Sequence, residues 1–168
     1  MVLTKAELIA SLQKEVRILL HLATKIDSAH LDYRPTSRQR STLEVLHYLS
    51  MMGPLMVKAV KDGGFDPAVW KAAQETAAAR DLDQTLEVIA RQSDEFAALL
   101  GGLSDDDLRA EIQMFGRTST KGFFLVNTVL CGYAAYRTQL FCYLKSGGRE
   151  ELNTMNLWAG MDPQPATA

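Results

Sequence analysis

A chain of 168 residues and 18.6 kDa, 47% hydrophobic and 23% charged, has the makeup of one soluble globular domain, which excludes a disordered chain. Eighteen Lys and Arg against twenty Asp and Glu leave a formal net charge of −2. With no basic stripe to track phosphates, a nucleic-acid partner is not expected. No apolar run reaches the roughly 18 residues of a membrane span, and the opening MVLTKAEL lacks a signal-peptide pattern, so no membrane partner is expected and the expected compartment is the cytoplasm.

Thr4-Lys5-Ala6-Glu7 reads as a capping box, and Leu8, Leu12, Val16, Leu19, Ala23 and Ile26 follow the spacing of one buried helix face. His21 falls on the opposite side of that wheel and is expected to be solvated. A polar connector from Ser28 to Arg40 carries Pro35, and a second capping box, Ser41 to Glu44, opens a helix to about Val60. That helix is apolar nearly all round, the pattern of a central element; Pro54 removes one amide donor and should bend it near Ser50.

Asp66-Pro67 is an N-cap followed by a first helical position and predicts a shorter helix to about Arg80. Asp81 to Gln84 caps a third long helix stopped by Gly101-Gly102. Ser104 with Asp105, Asp106 and Asp107 predicts one or two turns, since acids favour a helix start. A loop through Phe115 to Thr120 leads to a fourth long helix, Lys121 to Ser146. Leu152, Met155, Leu157 and Trp158 then predict a tail folded back on the bundle. No strand-like alternation is read in the chain, so the expected fold is all-α. It is an up-down-type four-helix bundle over 1–160 with a short extra helix between long helices 2 and 3 and an ordered C-terminal tail, the segment 161–168 fraying.

Cys131 and Cys142 lie on one face of the fourth long helix, ~16 Å apart at 1.5 Å rise per residue, too far for a disulfide. Both are expected to be reduced and buried.

Tyr33-Arg34-Pro35, Arg40-Ser41 and Leu43 to Leu49, together with Tyr136-Arg137-Thr138-Gln139-Leu140 and the closing Gly147-Gly148, resemble the DinB/YfiT-like family of bacterial four-helix bundles. The resemblance implies a nickel or zinc ion held by three histidines, one on the second helix and two in an His-x-x-x-His pair on the fourth. By position these fall on His47, Gly132 and Tyr136. Glycine offers no donor and a neutral phenol is a poor ligand, so the triad is degenerate and no metal cofactor is expected. Some relatives are thiol S-transferases, isomerases or hydrolases, and such a metal-dependent enzyme is the alternative reading. Related bundles often pair, and the apolar central helices also point to a homodimer.

His47 is expected to face the fourth helix near Gly132 and Tyr136, where the missing imidazoles leave room. One reading fills that room with a satisfied core, Tyr136 donating to His47. The other makes it a small-molecule pocket with a few polar groups in an apolar wall, lined by His47, Met51, Tyr133, Tyr136 and Trp158.

Overall fold

Side-chain caps set the helix starts. The Thr4 hydroxyl accepts from the Glu7 amide at 3.2 Å while Glu7 accepts from the Thr4 amide at 2.8 Å, and the first helix, α1, runs Lys5–Ala23. The same reciprocal bonding by Ser41 and Glu44 opens α2, Thr42–Asp62, which ends at Gly63 in the left-handed region. Asp66 caps α3, Pro67–Ala78, and Asp81 with Gln84 opens α4, Leu82–Gly101. Ser104 and Asp107 close on each other over α5, Asp105–Arg109. The computed structural model describes residues 3–163.

The fourth long helix is composite. It begins as α6, Lys121–Phe124, widens into a π-helical stretch over Leu125–Leu130, and continues as α7, Cys131–Ser146. A π turn inserts about one extra residue, so side chains beyond it rotate by about 100° against a plain α wheel. A short α8, Thr154–Ala159, lies across α1 and α7.

The four long helices enclose one core. Leu12, Leu19 and Leu22 from α1, Leu46, Leu49 and Met52 from α2, and Ile89, Phe96 and Leu100 from α4 meet Leu125, Val129, Tyr133 and Leu140 of the fourth helix. Each is almost wholly buried, which at ~1.5–3 kcal/mol per large apolar side chain makes this packing the main support of the bundle. Helix α3 packs chiefly against α2, as the expected extra helix.

Three expectations need correction. Residues 111–120 form a hairpin, with β1 (Glu111–Met114) antiparallel to β2 (Arg117–Thr120) and Met114 opposite Arg117. Its two-residue turn, Phe115-Gly116, has φ of 53° and 72°, both in the left-handed region. A Phe at such a turn hides the signal that Asn-Gly would give. Cys131 and Cys142 do share a face, but it is the solvent face, and both are exposed free thiols. His21 is not solvated: α8 covers it, Asn156 Nδ2 lies 3.1 Å from its Nε2, and Asp162 lies 3.7 Å away. Asp162 also accepts from Lys25 at 2.7 Å and from Asn156 at 2.9 Å, so the chain is still tied down there. The rest of the segment expected to fray, 164–168, lies outside the described residues.

Candidate functional site

The connector before α2 is anchored on two sides. The Thr42 amide donates to the Tyr33 carbonyl and the Leu43 amide to that of Leu31, each at 3.0 Å. From α7, the Tyr143 hydroxyl donates to the Arg40 carbonyl at 3.0 Å, and its ring meets Tyr33 edge-on. The segment 33–40 is thereby fixed as one wall of a cleft whose floor is the N-terminal half of α2 and whose far wall is the C-terminal half of α3. The cleft encloses about 360 Å³ and is lined by Arg34, Arg38, Arg40, Glu44, His47, Tyr48, Met51, Gln74, Ala77 and Ala78, among others.

His47 stands on the floor. Its Nε2 lies 2.8 Å from the Arg80 carbonyl, which can only accept, so Nε2 carries the proton. The Arg80 side chain closes the loop: Nη1 donates to the Ser50 hydroxyl at 3.0 Å, and that hydroxyl donates to the His47 carbonyl at 2.7 Å. His47 is therefore oriented by the junction of α3 and α4, and this ring bond is not made to the fourth helix.

Beside it, the Arg40 guanidinium lies 4.2 Å above the centre of the Tyr48 ring, a cation–π distance, and Nη1 donates to the Tyr136 hydroxyl at 3.2 Å. Tyr48 and Tyr136 pack with ring centroids 4.7 Å apart. Burial pushes the Tyr48 hydroxyl up to about 12, the neighbouring Tyr136 hydroxyl adding to the shift and Arg40 opposing it. Tyr48 is consequently a neutral hydrogen-bonding group at physiological pH, neither base nor phenolate ligand.

Of the five residues named as pocket lining, His47 and Met51 stand in the cleft, and Tyr136 lies behind its wall against Arg40 and Tyr48. Tyr133 is elsewhere. It is 1% exposed, and its hydroxyl bonds Gln92 Oε1 at 2.6 Å and the Leu49 carbonyl at 3.3 Å inside the core. Burial holds that phenol well above its ordinary value, so it serves as a core donor. Trp158 sits on another surface, 61% exposed, with the Arg137 guanidinium 5.3 Å from its ring centre. The room expected at Gly132 is already taken, because a Cβ there would stand 3.0 Å from Met52 Cε.

The lining arginines carry no helical periodicity that would mark them in the sequence. Arg34, Arg38 and Arg40 fall within seven residues, a local basic run that the near-neutral net charge conceals. At His47, Gly132 and Tyr136, where the resemblance would put metal ligands, the donor set is one imidazole, a position without a side chain, and a phenol already bonded to a guanidinium. Among the described residues no group of three or more His, Cys, Asp or Glu is placed to hold a metal ion. A larger groove of about 490 Å³ runs between the start of α1 and α5–α6. Its lysine, Lys5, is engaged by the Gly101 and Leu103 carbonyls, and Arg109 by Asp105 and Asp106.

No family model matches the chain. It is 27% identical over 135 residues to YjoA, an uncharacterized protein of Bacillus subtilis strain 168, a match covering 78% of this chain and 82% of that one. The crystal structure of YjoA, described as a DinB-like protein and solved at 2.30 Å, superposes with a TM-score of 0.66 at 22% identity, covering 87% of this chain and 94% of the other. This superposition shows that the chain has the fold of a DinB-like protein.

Proposed function

We propose that the protein binds a small organic molecule in the cleft between segment 33–40, α2 and α3, and does so without the metal ion of its resemblance. The observation that carries this reading is the cleft itself: a preformed concavity of about 360 Å³ in which His47, Tyr48 and three arginines converge beside Met51 and two alanines. A few fixed polar groups against apolar wall is the usual chemistry of a ligand site. The donor set supports the metal-free part. One imidazole falls short of the three protein ligands of a catalytic zinc site, and a cation at the Tyr136 hydroxyl would meet the Arg40 guanidinium.

A fragment screen by ¹H–¹⁵N spectroscopy on protein dialysed against chelator tests the proposal. Shifts clustered on 44–51 and 74–80 are expected; shifts that occur only after nickel or zinc is restored would move the metal-dependent enzyme ahead.

Two further properties belong to this reading. Cys131 and Cys142 are exposed and unpaired, which supports a reducing compartment, the cytoplasm; no described helix is long and apolar enough to cross a membrane. A homodimer is the proposed assembly, supported by Val69 and Phe115, each more than half exposed beside the Phe65 and Trp70 rings. Light scattering at micromolar concentration should give twice the 18.6 kDa chain mass, and the monomer mass throughout would refute it.

A further inference from the structure

We propose that the ligand of this cleft is an anion: a carboxylate or phosphate head held by Arg38 and Arg40, on a flat apolar body seated against Tyr48 and Met51. The inference rests on the cleft being a ligand site, and it adds the class of molecule.

Charge bookkeeping within the cleft carries it. Three guanidinium groups line the space and only one acid does, Glu44. That carboxylate is already engaged, accepting from the Ser41 amide at 2.7 Å and lying 3.3 Å from Arg34 Nη1. Arg34 is thus answered within the protein. Arg38 and Arg40 are not: among the described residues neither stands in an ion pair. Arg40 is also pre-organised. Stacked on Tyr48 and bonded to Tyr136 through one amino group, its planar fork is fixed, and that bond uses a single donor of five. A fixed fork beside an exposed Arg38 suits a two-oxygen or three-oxygen head, because charge-assisted bonds to carboxylate and phosphate are the strong ones. The floor sets the rest of the ligand. Tyr48 stays neutral, Met51 is nearly buried and adaptable, and Ala77 and Ala78 leave width for a ring.

The test uses the full ¹⁵N-labelled chain with four probes titrated to ~10 mM: phenyl phosphate, benzoate, benzyl alcohol and inorganic phosphate. The expected result is amide shifts over 38–51 and 74–80, with at least one aromatic anion binding about tenfold tighter than benzyl alcohol and losing affinity with added salt. Phenyl phosphate ahead of benzoate identifies a phosphate head, and the reverse order a carboxylate. Arg38→Glu, a change at an exposed side chain, should weaken the anion about tenfold and leave benzyl alcohol unchanged. Equal binding by benzyl alcohol and the anions, or an Arg38→Glu protein that binds the anion as before, overturns the inference while the cleft survives as a ligand site. Inorganic phosphate binding as tightly as phenyl phosphate overturns the apolar body. Silence from all four probes at the cleft overturns both the inference and the reading beneath it.

Discussion

Gly53 lies directly beneath the Tyr133 ring: a Cβ on it would stand 2.6 Å from Tyr133 Cε2 and 2.7 Å from Phe96 Cζ. Helices α2, α4 and α7 meet at this point, and Tyr133 is held there by Gln92 and the Leu49 carbonyl. Mid-helix glycine ordinarily costs about 1 kcal/mol against alanine, so Gly53→Ala would stabilise an isolated helix. In this bundle the added methyl must displace two buried rings, and overpacking of that kind costs about 1–3 kcal/mol or more. Gly53→Ala should therefore lower stability by about 2 kcal/mol in urea unfolding. Gly101→Ala, at a helix end with nothing within 4 Å, should be neutral or slightly stabilising. A Gly53→Ala protein more stable than the parent would mean that α2 does not approach Tyr133 so closely.

Glu15 and Arg137 form an ion pair beneath α8, Nε to Oε2 3.3 Å, with side chains 11% and 5% exposed. Burial pushes the Glu15 carboxyl up, and Arg137 opposes it. Neither of those two atoms has a well-aligned hydrogen bond, so desolvation is poorly compensated. Glu15→Gln alone should cost about 3 kcal/mol, because it strands a buried guanidinium. The double change Glu15→Leu with Arg137→Met should fall within about 1 kcal/mol of the parent or exceed it. A double variant as weak as the single would assign the pair a net stabilising role.

His21 is held below the ordinary imidazole value of 6.5 by burial under α8, Asp162 opposing and Lys25 adding to the shift. The unfolded chain therefore binds this proton more readily than the folded one. The contribution of His21 is full above 6.5 and is lost as pH falls through the lowered folded value. Melting temperature should thus decline from about pH 7 towards pH 5, and His21→Gln should flatten that part of the curve. An unchanged slope in His21→Gln would place the pH dependence elsewhere.

The caps made the fold legible. Thr4 with Glu7, Ser41 with Glu44 and Asp81 with Gln84 mark helix starts where the structure has them, and Gly63 and Gly102 mark ends. The hairpin was not legible, because Phe115 occupies a left-handed turn position that its residue type disfavours. Nor was the π-helical stretch, since Leu125–Leu130 reads as ordinary helix and nothing in its residue types announces a π turn. Tyr133 follows Leu125 and Val129 at i+8 and i+4 spacing into the core, and Cys131, on the opposite side of that wheel, faces solvent. His47 and Met51 line the cleft between segment 33–40, α2 and α3, not the space expected beside Gly132. The arginines came from the connector, where no periodicity indicates direction.

A metal-free cleft beside His47 is tested most directly by the metal content of the protein, incubated with excess zinc and nickel, desalted and measured by mass spectrometry. Well below about 0.1 equivalent of either metal is expected, the same in the parent and in His47→Ala. One equivalent retained by the parent and lost in His47→Ala would contradict this reading and establish a metal site built on that histidine.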